Sequence, residues 1–117
     1  MFKTKIGKNN LCKTPKGNSM YWLLTKEIGA KNFEMRYLEI PINGKSSYSK
    51  HSYEHEVFVI EGNGIIKGKD NQENLLPGDA VFILGNEVHQ LINTGNTNFG
   101  FICVIPTGRE DELKPPC

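Results

Sequence analysis

The chain has 117 residues, of which 38% are hydrophobic and 23% are charged, so we expect one domain with its own hydrophobic core. Its formal net charge is only +1, which argues against nucleic-acid binding because phosphate recognition needs a dense basic face. It has no signal-peptide pattern and no long apolar run, so no membrane association is expected. Its three cysteines, an odd number without paired spacing, argue against a disulfide framework and favour a cytoplasmic location.

Short runs rich in β-branched and aromatic residues follow one another along the chain, separated by turn residues. They predict strands over residues 21–25, 33–40, 56–61, 65–67, 73–76, 80–84, 88–92 and 99–105. The sequence also allows a short strand over residues 2–6. The glycines at 62 and 64 predict a hairpin between the strands on either side of them.

This pattern of many short strands, with no convincing helix and no repeat, is typical of an all-β sandwich or barrel. Closing the sheet into a barrel also removes exposed strand edges. Residues 1–19 form a polar N-terminal arm in this interpretation, and residues 107–117 form a polar tail.

Two of the three histidines, His51 and His55, lie four residues apart. In a straight strand they would be separated by about 13 Å, too far for one metal ion, which needs each imidazole nitrogen at about 2.1 Å. Either the chain bends between them, or they lie one turn apart on a helix. The helical option resembles HExxH, but Ser52 stands where that motif has glutamate, and residues 57–60 have strong strand character. We therefore expect a bend, with His51 ending one strand and His55 opening the next.

The third histidine, His89, lies on a later predicted strand. A single histidine is usually structural, whereas three at jointly motif-like positions favour a shared function. A jelly roll could bring His89 opposite the first pair, so we predict that the three imidazoles converge inside a β-barrel.

With these residues in place, the chain resembles the cupin family in its small, single-domain form (cupin 2 type). The first cupin motif corresponds to Gly44, Ser49, His51, His55 and Gly62, and the second to Gly78, Leu84, Gly85, Asn86, His89 and Asn93. The 15 residues 63–77 suit the short linker of small cupins. The resemblance covers residues 33–106, which would be the core of a single domain spanning 1–117. It implies a double-stranded β-helix, or jelly-roll barrel.

Departures from the family pattern define the expected site. Ser49 replaces the first histidine of the first motif, and His55 replaces its glutamate. The stretch Tyr53–Glu56 is similar to small cupins with an all-histidine metal site. That similarity implies that His51, His55 and His89 are the ligands of one divalent transition-metal ion (Zn, Fe, Mn, Ni or Cu). Ser49 would face the ion without binding it strongly, or a water would take its place.

Four further residues are candidates for lining the site: Tyr48, Cys103, Phe101 and Tyr37. Tyr48 could hydrogen-bond a substrate. Cys103 shares an inward face with Phe101 by its period-2 spacing, either as a pocket-lining thiol or as a small buried hydrophobe. Tyr37 could line the barrel mouth in this interpretation, with core packing as the default expectation.

The family resemblance implies a metal-dependent enzyme, dioxygenase-like or isomerase-like, that acts on a small organic substrate inside the barrel. The alternative is a non-catalytic module that binds a small ligand or senses metal, because the fold hosts both kinds. The resemblance also implies a homodimer that pairs through sheet edges and exchanged N-terminal strands, with Phe2 and Ile6 as possible anchors.

Overall fold

Nine β-strands and two 3-10 turns account for the regular structure of residues 1–109, which are the residues that the computed structural model describes. The strands are β1 Leu11–Lys13, β2 Ser19–Leu24, β3 Phe33–Ile40, β4 His55–Glu61, β5 Gly64–Lys67, β6 Gln72–Leu75, β7 Ala80–Ile83, β8 Gln90–Asn93 and β9 Phe99–Pro106. The 3-10 turns cover Lys8–Asn10 and Lys26–Ile28. No helix in this part of the chain could cross a membrane. Residues 110–117 of the predicted polar tail lie outside the described range.

The strands form two antiparallel sheets. The larger has the order β1-β2-β3-β9-β4-β7, and the smaller has the order β6-β5-β8. An irregular stretch, which we call the 44–51 segment, pairs with β8 through isolated bridges between Lys45 and Ile92 and between Ser49 and His89. The all-β prediction is confirmed, because antiparallel sheets carry the whole described fold.

The hydrophobic core fills the space between the two sheets. The larger sheet contributes Ile40, Val57, Val59, Ile83, Phe99, Phe101, Cys103 and Ile105, and the smaller contributes Ile66, Leu75 and Leu91. Phe99 is fully buried, and a side chain at Gly64 would collide with its ring. Each such residue contributes roughly 1.5–3 kcal/mol by leaving water, so this core holds the two sheets in a fixed relation.

Strand β3 has the predicted bounds, Phe33–Ile40, but it presents an unexpected face to the interior. Its buried inward residues include the charged Glu34 and Arg36, while Phe33 is 67% exposed. Tyr37 therefore points to the outer face of the large sheet, where its hydroxyl donates to Glu61 Oε1 at 3.0 Å. Tyr37 is only 7% exposed, but the structure does not bring it to the histidines, because strand alternation carries it to the opposite side of the sheet.

Two predicted local features are also wrong. Strands β4 and β5 do not form a hairpin, because β4 pairs with β7 and β9 whereas β5 pairs with β6 and β8. The chain instead crosses between the sheets at Gly62, whose φ of 76° and contact with the Asn98 carbonyl both exclude a side chain. Residues 2–6 form no strand, and the first strand is Leu11–Lys13, which pairs with β2 of the same chain.

The last residue of the second motif, Asn93, is a structural clamp. Its Nδ2 donates to the carbonyls of Ile40 and Thr97 at 2.9 and 2.8 Å, and its Oδ1 accepts from the Gly95 amide at 2.9 Å. Only an amide side chain offers both donors and an acceptor in this way. Asn93 thus ties the turn after β8 to the end of β3.

Candidate metal centre

Each of the three histidines is placed by a different part of the backbone. His55 is the first residue of β4. His89 directly precedes β8 and exchanges two main-chain hydrogen bonds with Ser49, at 2.9 and 3.1 Å. His51 ends the 44–51 segment, and its carbonyl accepts from the Asn86 amide at 2.6 Å. The chain therefore bends between His51 and His55, as predicted, but the segment that His51 ends is irregular and is not the expected strand.

The structure brings the three imidazoles together. One nitrogen from each ring lies within 4.8 Å of the others, and the ring centroids are 5.1, 5.2 and 5.5 Å apart. Two nitrogens bound to the same ion are at most about 4.2 Å apart, so small ring movements suffice to hold one. His55 and His89 are buried, and His51 is partly exposed, which leaves the cluster open on one side.

The hydrogen bonds of the rings leave nitrogen lone pairs for a cation. His89 Nδ1 lies 2.9 Å from the Glu87 carbonyl oxygen, which can only accept, so Nδ1 carries the hydrogen and Nε2 is bare. The Nε2 atom of His55 is buried without a hydrogen-bond partner. An orphaned buried polar atom costs free energy, and a bound cation would satisfy it. These residues therefore fit a transition-metal ion.

The protonation of His55 also suits a metal ligand. Burial, then the nearby Arg36 charge, and then His89 and His51 lower its pKa from 6.5 to about 3. The imidazole is thus neutral near pH 7, and a metal ligand has to be neutral imidazole.

Two residues that contact the cluster were not predicted to do so. The Tyr53 ring stacks on His51, with centroids 5.1 Å apart and an interplanar angle of 12°. Arg36 is only 3% exposed and donates through Nη2 to Cys103 Sγ at 3.0 Å. The strand predicted over residues 33–40 came without a prediction of its buried face, so no role for Arg36 at the site was expected.

The remaining candidates divide into near and distant residues. Cys103 is brought to the site, with its Sγ 3.2 Å from His55 Nδ1, and Ser49 pairs with His89. Phe101 is buried in the core against Phe99, at a centroid distance of 5.2 Å. Tyr48 is 52% exposed in the 44–51 segment.

A cavity of about 150 Å³ lies beside His89. Ile66 and Ile83 contribute apolar wall, and Lys67 and Glu87 contribute polar lining. A cavity of this volume can hold a molecule the size of benzene; of the three histidines only His89 lines it.

Comparison with known proteins identifies the family. The model of the cupin domain family matches residues 36–105, more than half of the 117 residues. The chain therefore belongs to the cupin domain family, and its all-β barrel is a cupin fold.

Two curated relatives share less than a third of their aligned residues with this chain. A 1-methylthio-D-xylulose 5-phosphate methylsulfurylase of Rhodospirillum rubrum is 28% identical over 82 residues, which are 70% of this chain and 53% of the relative. An oxalate-binding protein of Thermotoga maritima is 29% identical over 69 residues, 58% of this chain and 57% of the relative. The chain thus spans about half the length of these curated relatives.

Among solved structures, a polyketide cyclase from Streptomyces resistomycificus superposes with a TM-score of 0.75 at 23% identity. The superposition covers 90% of this chain and 80% of the cyclase. At this identity the likeness shows a shared fold alone.

The lowered pKa of His55 predicts a pH-dependent loss of stability. Below pH 6.5 the unfolded chain takes up a proton at this residue, whereas the folded chain does not until about pH 3. The free energy of unfolding of the metal-free protein should therefore decrease as the pH is lowered. Relative to His55→Gln, the decrease should reach up to about 1.4 kcal/mol per pH unit. Urea denaturation between pH 7 and pH 4.5 in the presence of a chelator measures this. Parallel pH profiles for the two proteins would contradict it.

Proposed function

We propose that His51, His55 and His89 bind one divalent transition-metal ion and that the protein acts on a small organic compound beside it. The observation that carries the proposal is the convergence of three imidazole nitrogens within 4.8 Å of one another. The buried, unpartnered Nε2 of His55 supports it, because no other described group satisfies this atom.

The donor set favours particular ions. Imidazole nitrogens suit Zn, Fe, Mn, Ni and Cu better than Mg or Ca. When bound by three neutral ligands, such an ion keeps open positions and supplies Lewis-acid polarisation to a substrate oxygen. The main-chain pairing of Ser49 with His89 positions the His89 ring. The stacking of Tyr53 on His51 orients the His51 ring.

A small organic substrate agrees with the surroundings of the site. The cavity beside His89 measures about 150 Å³, and two relatives are named for small organic compounds, a xylulose phosphate derivative and oxalate. We further propose dioxygenase-like or isomerase-like chemistry, which the cupin resemblance implies, and the absence of a carboxylate from the proposed ligand set favours the dioxygenase-like alternative.

A non-catalytic role is the second candidate. One relative is named an oxalate-binding protein, and none of the three proposed ligands is a carboxylate that could serve as an acid or base. Oxygen uptake by the metal-loaded protein, measured with a panel of phenols, thiols and diketones, separates a dioxygenase from a binder.

We also propose a homodimer that pairs through the outer face of the large sheet. Three large apolar side chains on this face, Phe58, Ile60 and Phe82, are 44%, 45% and 51% exposed. Main-chain pairing places Phe58 opposite Ile102 and Ala80, so the apolar surface continues across neighbouring strands. A second copy would cover such a self-complementary patch across a twofold axis.

The metal proposal predicts a stoichiometry. Untagged protein reconstituted with Co²⁺ or Zn²⁺ should hold one ion per chain, as measured by elemental analysis after gel filtration. His51→Ala and His89→Ala should each weaken binding by more than the roughly 10–100-fold that changes around the ligands cost. Wild-type protein that holds no more metal than these variants after reconstitution would remove the basis of the proposal.

Ser49 offers a test by gain of function. Directly paired residues of antiparallel strands place their side chains on the same face, so a histidine at Ser49 would lie beside His89. Ser49→His should therefore tighten Co²⁺ binding and change its visible absorption spectrum. Lys50→His is the matched control, because alternation directs that side chain the other way. Equal effects of the two variants would contradict the arrangement.

The dimer proposal predicts a mass. Gel filtration with light scattering at micromolar concentration should give twice the mass of one chain for the wild type and the single-chain mass for Phe58→Lys. Leu76→Lys is the control, since Leu76 is 54% exposed but lies outside the large sheet. A wild-type protein with the mass of one chain would be evidence against the dimer.

A further inference from the structure

Two buried side chains stand behind the Nδ1 side of His55. Cys103 Sγ lies 3.2 Å from His55 Nδ1, and Arg36 Nη2 donates to the same sulfur at 3.0 Å. We propose that Cys103 and Arg36 are positioning residues that hold the His55 ring with a bare Nε2 turned toward the other two imidazoles. The inference rests on the proposed metal site and names the groups that orient one of its ligands.

Strand register explains why these side chains meet. Cys103 on β9 pairs directly with Arg36 on β3 and with Val57 on β4. All three residues are buried. His55 lies two residues before Val57 on the same face of β4, so it is a diagonal neighbour of Cys103. The contact therefore follows from regular main-chain pairing and does not depend on a loop.

The donors and acceptors allow two arrangements at the sulfur. Arginine has no acceptor, so Sγ accepts from Arg36. Toward His55, Sγ either donates its own hydrogen to Nδ1 or accepts one from it. The first arrangement puts a hydrogen on Nε2, where it would be a buried donor without a partner. The second leaves Nε2 bare, as a metal ligand must be, so the proposal assigns the hydrogen to Nδ1.

The surroundings of Arg36 support a role beyond an ordinary ion pair. Within residues 1–109 its guanidinium donates to two sulfur atoms, Cys103 Sγ and, at 3.7 Å, Met20 Sδ. Its Nε has no hydrogen-bond partner, and the group lies 5.4 Å from the Trp22 ring centroid. Of the two hydrogen bonds that the Arg36 guanidinium donates, the one to Cys103 is the shorter. The same sulfur atom also contacts His55.

The test uses histidine ¹⁵N spectra of the metal-free protein near pH 7, together with Co²⁺ titration. We expect wild-type His55 to carry its hydrogen on Nδ1. Cys103→Ala should shift the ring toward the Nε2–H form and weaken Co²⁺ binding by about 10–100-fold, the usual effect of losing a group that orients a ligand. Arg36→Met should give a smaller shift in the same direction. Cys103→Ser keeps an acceptor and should retain the wild-type tautomer.

Ile105→Val is the control for core packing, because Ile105 is buried on the same face of β9 two residues beyond Cys103. It should leave the His55 tautomer unchanged. If Cys103→Ala does not fold, the serine variant carries the test: an Nε2–H tautomer in that variant would count against the proposal.

Two results would overturn the inference: a wild-type His55 with its hydrogen on Nε2, or a folded Cys103→Ala protein with wild-type tautomer and Co²⁺ affinity. Failure of the wild type to bind Co²⁺ while His55 shows the expected tautomer would overturn the proposed metal function alone. The positioning of the ring would then stand.

Discussion

The main-chain pairing between the 44–51 segment and β8 is the constraint on which the histidine cluster depends. The segment is attached at both ends: the Asn93 amide donates to the Gly44 carbonyl at 3.0 Å, and the Asn86 amide donates to the His51 carbonyl at 2.6 Å. Between these points Ser49 and His89 pair directly. This pairing positions His51 relative to His55, which belongs to the larger sheet. The cluster is therefore assembled across the two sheets of the barrel.

The interior of the site combines the neutral ring of His55 with one buried cation, Arg36. Burial and the charge of Arg36 keep the pKa of His55 low, so the ring holds a lone pair where a surface histidine would be partly protonated. Burying a guanidinium costs free energy unless its donors are satisfied. Here two sulfur atoms accept from the guanidinium and the ring of Trp22 lies beside it. The same residues thus set the charge, the polarity and the ring orientation behind the proposed ligand.

Much of this arrangement could be predicted from the sequence. Alternation and turn residues located β3 with its correct bounds, and the His51–His55 spacing together with the strand character of residues 57–60 predicted the bend before His55. What could not be predicted depends on pairing between distant strands. A period of two identifies a strand but not which face is buried, so neither the position of Arg36 at the site nor that of Tyr37 on the outer face was predicted. The glycines at 62 and 64 were interpreted as a hairpin, whereas contacts with β9 make them a crossing between sheets.

The three histidines differ in how tightly the backbone that carries them is hydrogen-bonded to the rest of the fold. His55 belongs to a central strand of the larger sheet, with neighbours on both sides, whereas His51 is carried by an irregular stretch held through a few main-chain hydrogen bonds. Local opening takes the least tied part of a fold first. Opening of the 44–51 segment alone would therefore move His51 away from His55 and His89, so an ion held at the proposed site would be free to leave while the strands stay paired.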